Sequence, residues 1–301
     1  MKILKLVRFP NLLMIAIAQC LIRYTLVVPL LSISQKYVLV THFDFFFIVL
    51  STVLIAAGGY IINDIEDRKA DSINKPEKVI VGEKISVSTA YKLYYALTII
   101  SIAIGFYLQY IRPLQYIGYI NMIAAGLLYF YSVTYKGIML LGNFIVSILT
   151  SLSIALIVIT EPLALSDPTI LSLSAGYFVF AFLLSFVREI IKDIEDVEGD
   201  TSVDCKTLPV VMGTFTSKIT AGIVTLVTLL LIVYIQIISE QWKSTLPFLY
   251  VLVMIQIPLA LLLLLMVRAK AKKQFYQASF LTKSIMISGI FSMLVFYLAF
   301  R

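Results

Sequence analysis

The chain has 301 residues, of which 60% are hydrophobic and only 14% charged, against roughly 45–50% and about 25% in soluble domains. With a mean hydropathy of +0.98, that composition excludes a cytosolic enzyme, a secreted domain and a disordered chain, and leaves a protein solvated by lipid. The formal net charge of +7 reads as the cytoplasmic bias of Lys and Arg in membrane proteins, so no nucleic-acid partner is expected.

In chain order, apolar stretches separated by charge, Gly or Pro predict nine spans at 11–33, 43–63, 91–109, 113–131, 138–160, 169–188, 217–238, 246–267 and 281–300. Runs such as Leu229 to Ile235 and Leu259 to Val267 are apolar on every face, which fits helices and not the alternating strands of a β-barrel. The expected fold is all-α, a polytopic bundle of nine transmembrane helices. Short connections leave no room for a separate extramembrane domain, so residues 1–301 are expected to form one domain. Lys2, Lys5 and Arg8 precede the first run as in a signal peptide, but that run is long and no small-residue cleavage site follows, so it reads as a retained helix. Cys20 and Cys205 have no metal-ligand spacing and predict neither a disulfide framework nor a zinc site.

Alternate connections differ sharply in Lys and Arg: nineteen fall on one side and four on the other, with Arg23 inside the first span. That asymmetry predicts a cytoplasmic amino terminus and an external carboxyl terminus. His42, the one histidine, falls on the external side, where it is a poor general base. Arg23 is costly in a span unless it meets a partner, which leaves two readings: a phosphate-bearing ligand, or snorkelling to the far interface.

Thirteen of the seventeen acidic residues sit in two cytoplasmic segments, 63–92 and 188–206. Asn63-Asp64-Ile65-Glu66-Asp67-Arg68-Lys69-Ala70-Asp71 and Lys192-Asp193-Ile194-Glu195-Asp196-Val197-Glu198-Gly199-Asp200 both contain D-I-E-D-x-x-x-D. If each continues the preceding helix, its aspartates lie at roughly 0°, 300° and 340° around the axis, on one face, while Glu66 and Glu195 point away. Asn63 joins the first row and Glu189 the second. Rows of carboxylates repel one another unless a cation neutralises them, and clustered hard oxygen ligands suit Mg²⁺ or Mn²⁺. Magnesium commonly completes its shell with substrate phosphates, so two facing rows predict a polyphosphate between them. Arg68, Lys69, Lys75 and Lys78 near the first row, and Arg188, Lys192 and Lys206 near the second, support that reading. Asn11 opens the first helix at the same mouth.

Asn63-Asp64-x-x-Asp67-x-x-x-Asp71 with Asn74-Lys75-Pro76, paired with Asp193-x-x-Asp196-x-x-x-Asp200, resembles the UbiA superfamily of intramembrane prenyltransferases, as does a Tyr131-Ser132 pair followed by Lys136. The resemblance implies an integral membrane enzyme of a bacterial or archaeal cell membrane with a cytoplasmic-side active site. By it, Asn63, Asp67, Asp71, Asp196 and Asp200 hold Mg²⁺ against the diphosphate of an allylic prenyl donor, supported by Asp64 and Asp193. Tyr131 and Lys136 join Asp67, Asp71, Asp196 and Asp200 as catalytic residues, while Asn11, Asn63, Lys75, Ser132, Arg188, Lys192 and Lys206 bind substrates. Ionising the allylic carbon–oxygen bond needs preorganised positive charge at the leaving diphosphate, then aromatic faces and a dry cavity. Tyr60, Tyr129, Phe130, Tyr131 and Tyr135 are candidates for those faces or for an interfacial belt.

The sequence Arg188 to Asp200, with Lys206-Thr207-Leu208-Pro209 and Gly213, is similar to the digeranylgeranylglyceryl phosphate synthase-like branch of that family. The branch implies a geranylgeranyl donor and geranylgeranylglyceryl phosphate as acceptor, with no obligate protein partner. Glu77-Lys78-Val79 and a glycine-free 201–205 loop depart from the common pattern, which keeps an aromatic, quinone-precursor or chlorophyllide-like acceptor as the alternative. A divalent-cation or phosphate transporter is the rival of another class.

Overall fold

The computed structural model describes residues 2–112, 116–238 and 245–300. Among them there is no β-strand, only two isolated bridges, Val81 to Ile85 and Ile138 to Lys206. The helices are α1 (Lys2–Leu6), α2 (Phe9–Ile33), α3 (His42–Glu66), α4 (Arg68–Asn74), α5 (Val87–Ile111), α6 (Ile117–Val133), α7 (Leu141–Ile159), α8 (Pro162–Leu165), α9 (Pro168–Glu195), α10 (Val197–Ser202), α11 (Leu208–Ile238), α12 (Leu246–Arg268) and α13 (Lys272–Phe300). Eight of these are long and apolar enough to cross a membrane, and α6 is a shorter apolar helix of 17 residues. Each of the nine expected spans thus corresponds to a helix, though the fourth starts at Ile117 and the fifth runs only from Leu141 to Ile159; positions 113–115 of the fourth lie outside the described residues.

The helix starts follow local chemistry. Thr41 caps α3 by accepting the Asp44 amide at 3.1 Å while the Asp44 carboxylate accepts the Thr41 amide at 3.1 Å, a reciprocal box. Ser86 caps α5, and Asp167 caps α9 ahead of Pro168. Inside α2 and α12 the turns just before Pro29 and Pro258 open into π-helical segments, Ile22–Val27 and Leu252–Gln256. Each accommodates a proline that has no N–H for the helical ladder. Gly213, at φ 79, kinks α11.

Helix α3 packs on α5 and α6, α9 on α7, α11 and α13, and α12 on α11 and α13, while α2 touches α3, α7 and α13 and closes the bundle. Large apolar side chains such as Ile99, Ile223, Leu230 and Ile237 are exposed on the outer helix faces, as expected where lipid is the solvent. Several helices run past the apolar spans read from sequence, notably α11, which begins at Leu208 rather than 217, and α13, which begins at Lys272 rather than 281. Hydropathy marks the hydrocarbon layer, whereas the backbone ladder continues through polar residues beyond it.

At one end of the bundle, Arg23 is buried. It donates to the Val40 carbonyl and lies 4.7 Å from the Phe45 ring centroid, while its Nε has no hydrogen-bond partner among the described residues. Glu161, fully buried, accepts the Leu39 and Val40 amides at 3.1 and 3.0 Å. Arg23 therefore does not snorkel to an exposed position: with Glu161 it ties the 34–41 connection to the bundle. His42 lies at this same end, hydrogen bonded to Tyr24.

Candidate active site

The opposite end carries the two acidic segments. Neither is the continuous helix expected from sequence, for both break at the middle aspartate. Helix α3 stops at Glu66, Asp67 takes φ −79 and ψ −1, and α4 restarts at Arg68. Helix α9 stops at Glu195, Asp196 takes φ −105 and ψ 8, and α10 restarts at Val197. The breaks match, and they turn α4 and α10 toward each other. Asn74 clasps the two: its Nδ2 donates to the Asp196 carbonyl at 2.8 Å and its Oδ1 accepts the Gly199 amide at 2.9 Å. Gly199 is required by the closeness of this crossing, since a Cβ there would lie 2.2 Å from Asn74 Nδ2 and 2.7 Å from the Ala70 carbonyl oxygen. Lys75 completes the clasp with ion pairs to Asp196 at 2.7 Å and Glu195 at 3.2 Å.

Beneath the clasp lies a cavity of about 850 Å³ whose mouth is charged and whose interior is apolar. Asn63, Asp64, Asp67, Asp71, Asp193, Asp196 and Asp200 all line it. Arg8, held in a left-handed conformation at φ 50, pairs with Asp64 at 2.8 Å and covers the Tyr60 ring at 4.9 Å. Lys136 pairs with Asp67, which also accepts the Asn63 amide at 2.6 Å. Asn143, on α7, donates to Asp193 at 2.7 Å, and the Thr207 hydroxyl donates to Asp200 at 3.3 Å. The Asp71 carboxylate has no ion pair or hydrogen bond among the described residues.

The electrostatics follow from this crowding. Burial, helped by the repulsion of Asp196 and Asp67 and opposed by Lys136, pushes the Asp200 carboxyl up to about 6. Burial and Asp67 likewise raise Asp71. Burial alone would lower Lys75, but Asp196 and Glu195 outweigh it and hold the ammonium above its ordinary value. Arg8, Lys136 and Lys75 answer Asp64, Asp67 and Asp196 one for one, which leaves Asp71, Asp193 and Asp200 without a cation of their own. Such a surplus of hard oxygen donors fits a divalent cation. Among the described residues no three His, Cys, Asp or Glu are grouped closely enough to hold a metal by themselves, so a cation here would need further ligands, such as water or phosphate oxygens.

Of the other residues singled out from sequence, Asn11, Lys75, Tyr131, Lys136, Arg188 and Lys192 line the cavity. Tyr131 sits between the rows, within the fields of Lys136, Glu189, Asp67 and Asp193. Ser132 and Lys206 do not line it. Ser132 is the next residue along the helix, faces away and donates to the Leu128 carbonyl at 3.0 Å. The Lys206 side chain is exposed, and its contribution is a main-chain N–H on the Gly137 carbonyl at 2.8 Å, which pins the turn carrying Lys136. Arg68 and Lys69 also lie outside the lining, and Arg68, at the start of α4, donates back to the Ile65 carbonyl of α3. Of the five aromatic candidates, Tyr60 and Tyr131 face the cavity, whereas Tyr129 and Phe130 are exposed outside its lining and Tyr135, half-buried against Phe130, does not line it either. Glu66 is exposed and accepts the Tyr91 hydroxyl, but Glu195 is buried against Lys75 and is no bystander.

Sequence reasoning missed the roles of Arg8, Asn143 and Lys283. Lys283, just inside the apolar span that begins at 281, sits three turns into α13 and reaches across to donate to Asn11 at 2.7 Å. Only the helix start at Lys272 reveals this, and no spacing in the sequence points to Asn11.

A lipid-embedded helical bundle with a carboxylate-and-cation mouth over an apolar cavity defines an intramembrane enzyme of the prenyltransferase class. The UbiA prenyltransferase family matches residues 24–285, and the chain belongs to that family. It is 36% identical over 200 residues to a digeranylgeranylglyceryl phosphate synthase of Sulfolobus acidocaldarius, covering 64% of this chain and 68% of the relative. It is 40% identical over 161 residues to the synthase of the same name from Saccharolobus solfataricus, covering 53% of this chain and 54% of the relative, so that match spans about half of the protein. Among solved structures, one described as digeranylgeranylglyceryl phosphate synthase in membranes superposes with a TM-score of 0.67 at 22% identity over 99% of this chain and 97% of that one. A UbiA homologue from Archaeoglobus fulgidus bound to GPP and Mg²⁺ superposes with a TM-score of 0.60 at 16% identity over 98% and 100%. These last two establish the fold.

Proposed function

We propose that the protein transfers a geranylgeranyl group from its diphosphate to geranylgeranylglyceryl phosphate, in an Mg²⁺-dependent reaction that forms an ether lipid and releases diphosphate. The observation that carries the reading is the pair of acidic segments clasped face to face over an apolar cavity. The nature of the relatives supports the donor and acceptor: two archaeal proteins similar to this chain are named for that synthesis, and a homologue of the same fold holds an allylic diphosphate with Mg²⁺. Residues 1–301 would act as one domain, with the mouth on the cytoplasmic side, where the surplus of Lys and Arg lies.

Asn63, Asp64, Asp67 and Asp71 from one segment and Asp193, Asp196 and Asp200 from the other would hold the metal, and Mn²⁺ has the same preference for such oxygens. Bound there, the ion neutralises charge developing on the leaving diphosphate. Lys136, Lys75 and Arg8, fixed by their carboxylate partners, add positive charge at preset positions and so lower the barrier to breaking the allylic C–O bond. The bond's electron pair leaves with the diphosphate. Tyr131, between the rows and above the apolar interior, offers its ring face to the allylic cation, while the bundle excludes water. The acceptor hydroxyl closes the new C–O bond and gives up its proton to the departing diphosphate.

Purified protein supplied with geranylgeranyl diphosphate, geranylgeranylglyceryl phosphate and Mg²⁺ should form the diether, and EDTA should abolish it. Turnover with an aromatic or quinone-precursor acceptor alone would refute the acceptor assignment. Ion flux in proteoliposomes without prenyl transfer would refute the enzymatic reading and favour a carrier.

A further inference from the structure

The mouth of the cavity is electrically divided, and the second half is not explained by the donor diphosphate. On the acidic side Arg8, Lys136 and Lys75 are each matched by a carboxylate. On the other side Arg188 and Lys192 share a single partner, Glu189, at 3.1 and 2.9 Å. Lys283 arrives from α13 and finds only the neutral Asn11 amide oxygen at 2.7 Å, with Arg188 as a charged neighbour. All five residues line the same cavity. These three cations face Glu189, while Asp193, also in the field of Lys192, is bonded to the neutral Asn143; cations still outnumber carboxylates here, which leaves a local positive surplus. In addition, the buried Arg188 Nε has no hydrogen-bond partner among the described residues, an expensive state for a charged donor away from water.

A phosphate monoester carries about −1.5 to −2 charges near neutral pH and offers three acceptor oxygens. It matches the surplus, and it gives the idle Arg188 N–H a partner in the two-pronged geometry that guanidinium groups make with phosphate. Lys283 lies two residues into the apolar span that begins at 281, at its edge on the charged-mouth side, and its ammonium is turned inward to this half of the mouth. Resting on the prenyl transfer proposed above, we infer that Arg188, Lys192 and Lys283 form a separate subsite for the phosphate of the acceptor lipid, with Lys283 the residue that sets preference for a phosphorylated acceptor. Asn11 holds the Lys283 ammonium in place when the subsite is empty.

The test uses the full-length, detergent-solubilised protein and its Lys283→Gln and Lys283→Arg variants. Without donor, geranylgeranylglyceryl phosphate should raise the melting temperature of the wild type more than geranylgeranylglycerol does. Lys283→Gln should erase that difference, and Lys283→Arg should keep most of it. In turnover, Lys283→Gln should raise the acceptor KM by about 10- to 100-fold, the loss of one charge-assisted hydrogen bond, with the donor KM unchanged. Equal stabilisation of the wild type by both lipids would overturn the inference. So would equal stabilisation by inorganic phosphate and the phosphorylated lipid, an unchanged acceptor KM in Lys283→Gln, or a parallel rise in donor KM. Preference for the phosphorylated lipid that vanishes in Lys283→Gln, in a protein that forms no ether, would keep the subsite and refute the proposed reaction. Ether formation indifferent to Lys283 would do the reverse.

Discussion

Replacing Gly199 by alanine tests the clasp. The added methyl would lie 2.2 Å from Asn74 Nδ2 and 2.7 Å from the Ala70 carbonyl oxygen. The first atom can swing away, but only by giving up its bond to Asp196 and the bond from the Gly199 amide. The second belongs to the backbone of α4 and cannot move without the helix. Each unsatisfied buried group costs about 1–3 kcal/mol, so two lost bonds amount to about 2–6 kcal/mol. Metal and diphosphate must restore the lost closeness of α4 and α10, so the amount appears as a weaker apparent affinity for Mg²⁺, by about 30-fold at the lower end of that range and about 20,000-fold at the upper. The assay is prenyl transfer titrated with Mg²⁺ for wild type and Gly199→Ala. Combining it with Asn74→Ala should not rescue, because the Ala70 carbonyl still blocks the methyl. Wild-type Mg²⁺ dependence in Gly199→Ala would refute the claim that this crossing holds the acidic segments in register.

Asp67→Asn and Asp196→Asn should each lower turnover by about 100-fold or more while leaving the bundle folded, since both remove a charge facing the cavity and one ionic partner of a lysine. Glu66→Gln should stay near wild type because Glu66 is exposed and meets only Tyr91, whereas Glu195→Gln, which loses Lys75, should fall between; equal losses across all four would argue against the facing rows. The Asp200 carboxyl, raised to about 6, favours its protonated form in the metal-free fold, so the stability it contributes is full below the ordinary carboxylate range and is lost as pH rises through about 6. A divalent cation competes with that proton, so melting curves with and without Mg²⁺ should diverge as pH rises from about 5 to about 7; a shift that is constant or shrinks over that range would contradict the assignment of Asp200 as a ligand.

Spans were legible because lipid demands long apolar runs, and the acidic rows because the same spacing of aspartates occurs twice. What stayed hidden was set by contacts across the bundle. Nothing local distinguishes Glu195 from Glu66, yet the first is buried on Lys75 and the second faces water. Ser132 adjoins Tyr131, but helical geometry sends neighbours to different faces, and only Tyr131 enters the cavity. Lys206 matters through its backbone, which side-chain chemistry does not reveal. The breaks at Asp67 and Asp196 carry no Gly or Pro to mark them; the geometry there is tied to the partner segment rather than to propensity.

The tie that Arg23 and Glu161 make to the 34–41 connection has a mechanical consequence. The described residues at that end are joined by side-chain-to-main-chain bonds and packed against Leu26, Val27, Leu31 and Ile48, so α2, α3 and the turn that leads into α8 are coupled there, and adjustment around an arriving lipid is left to the acidic end.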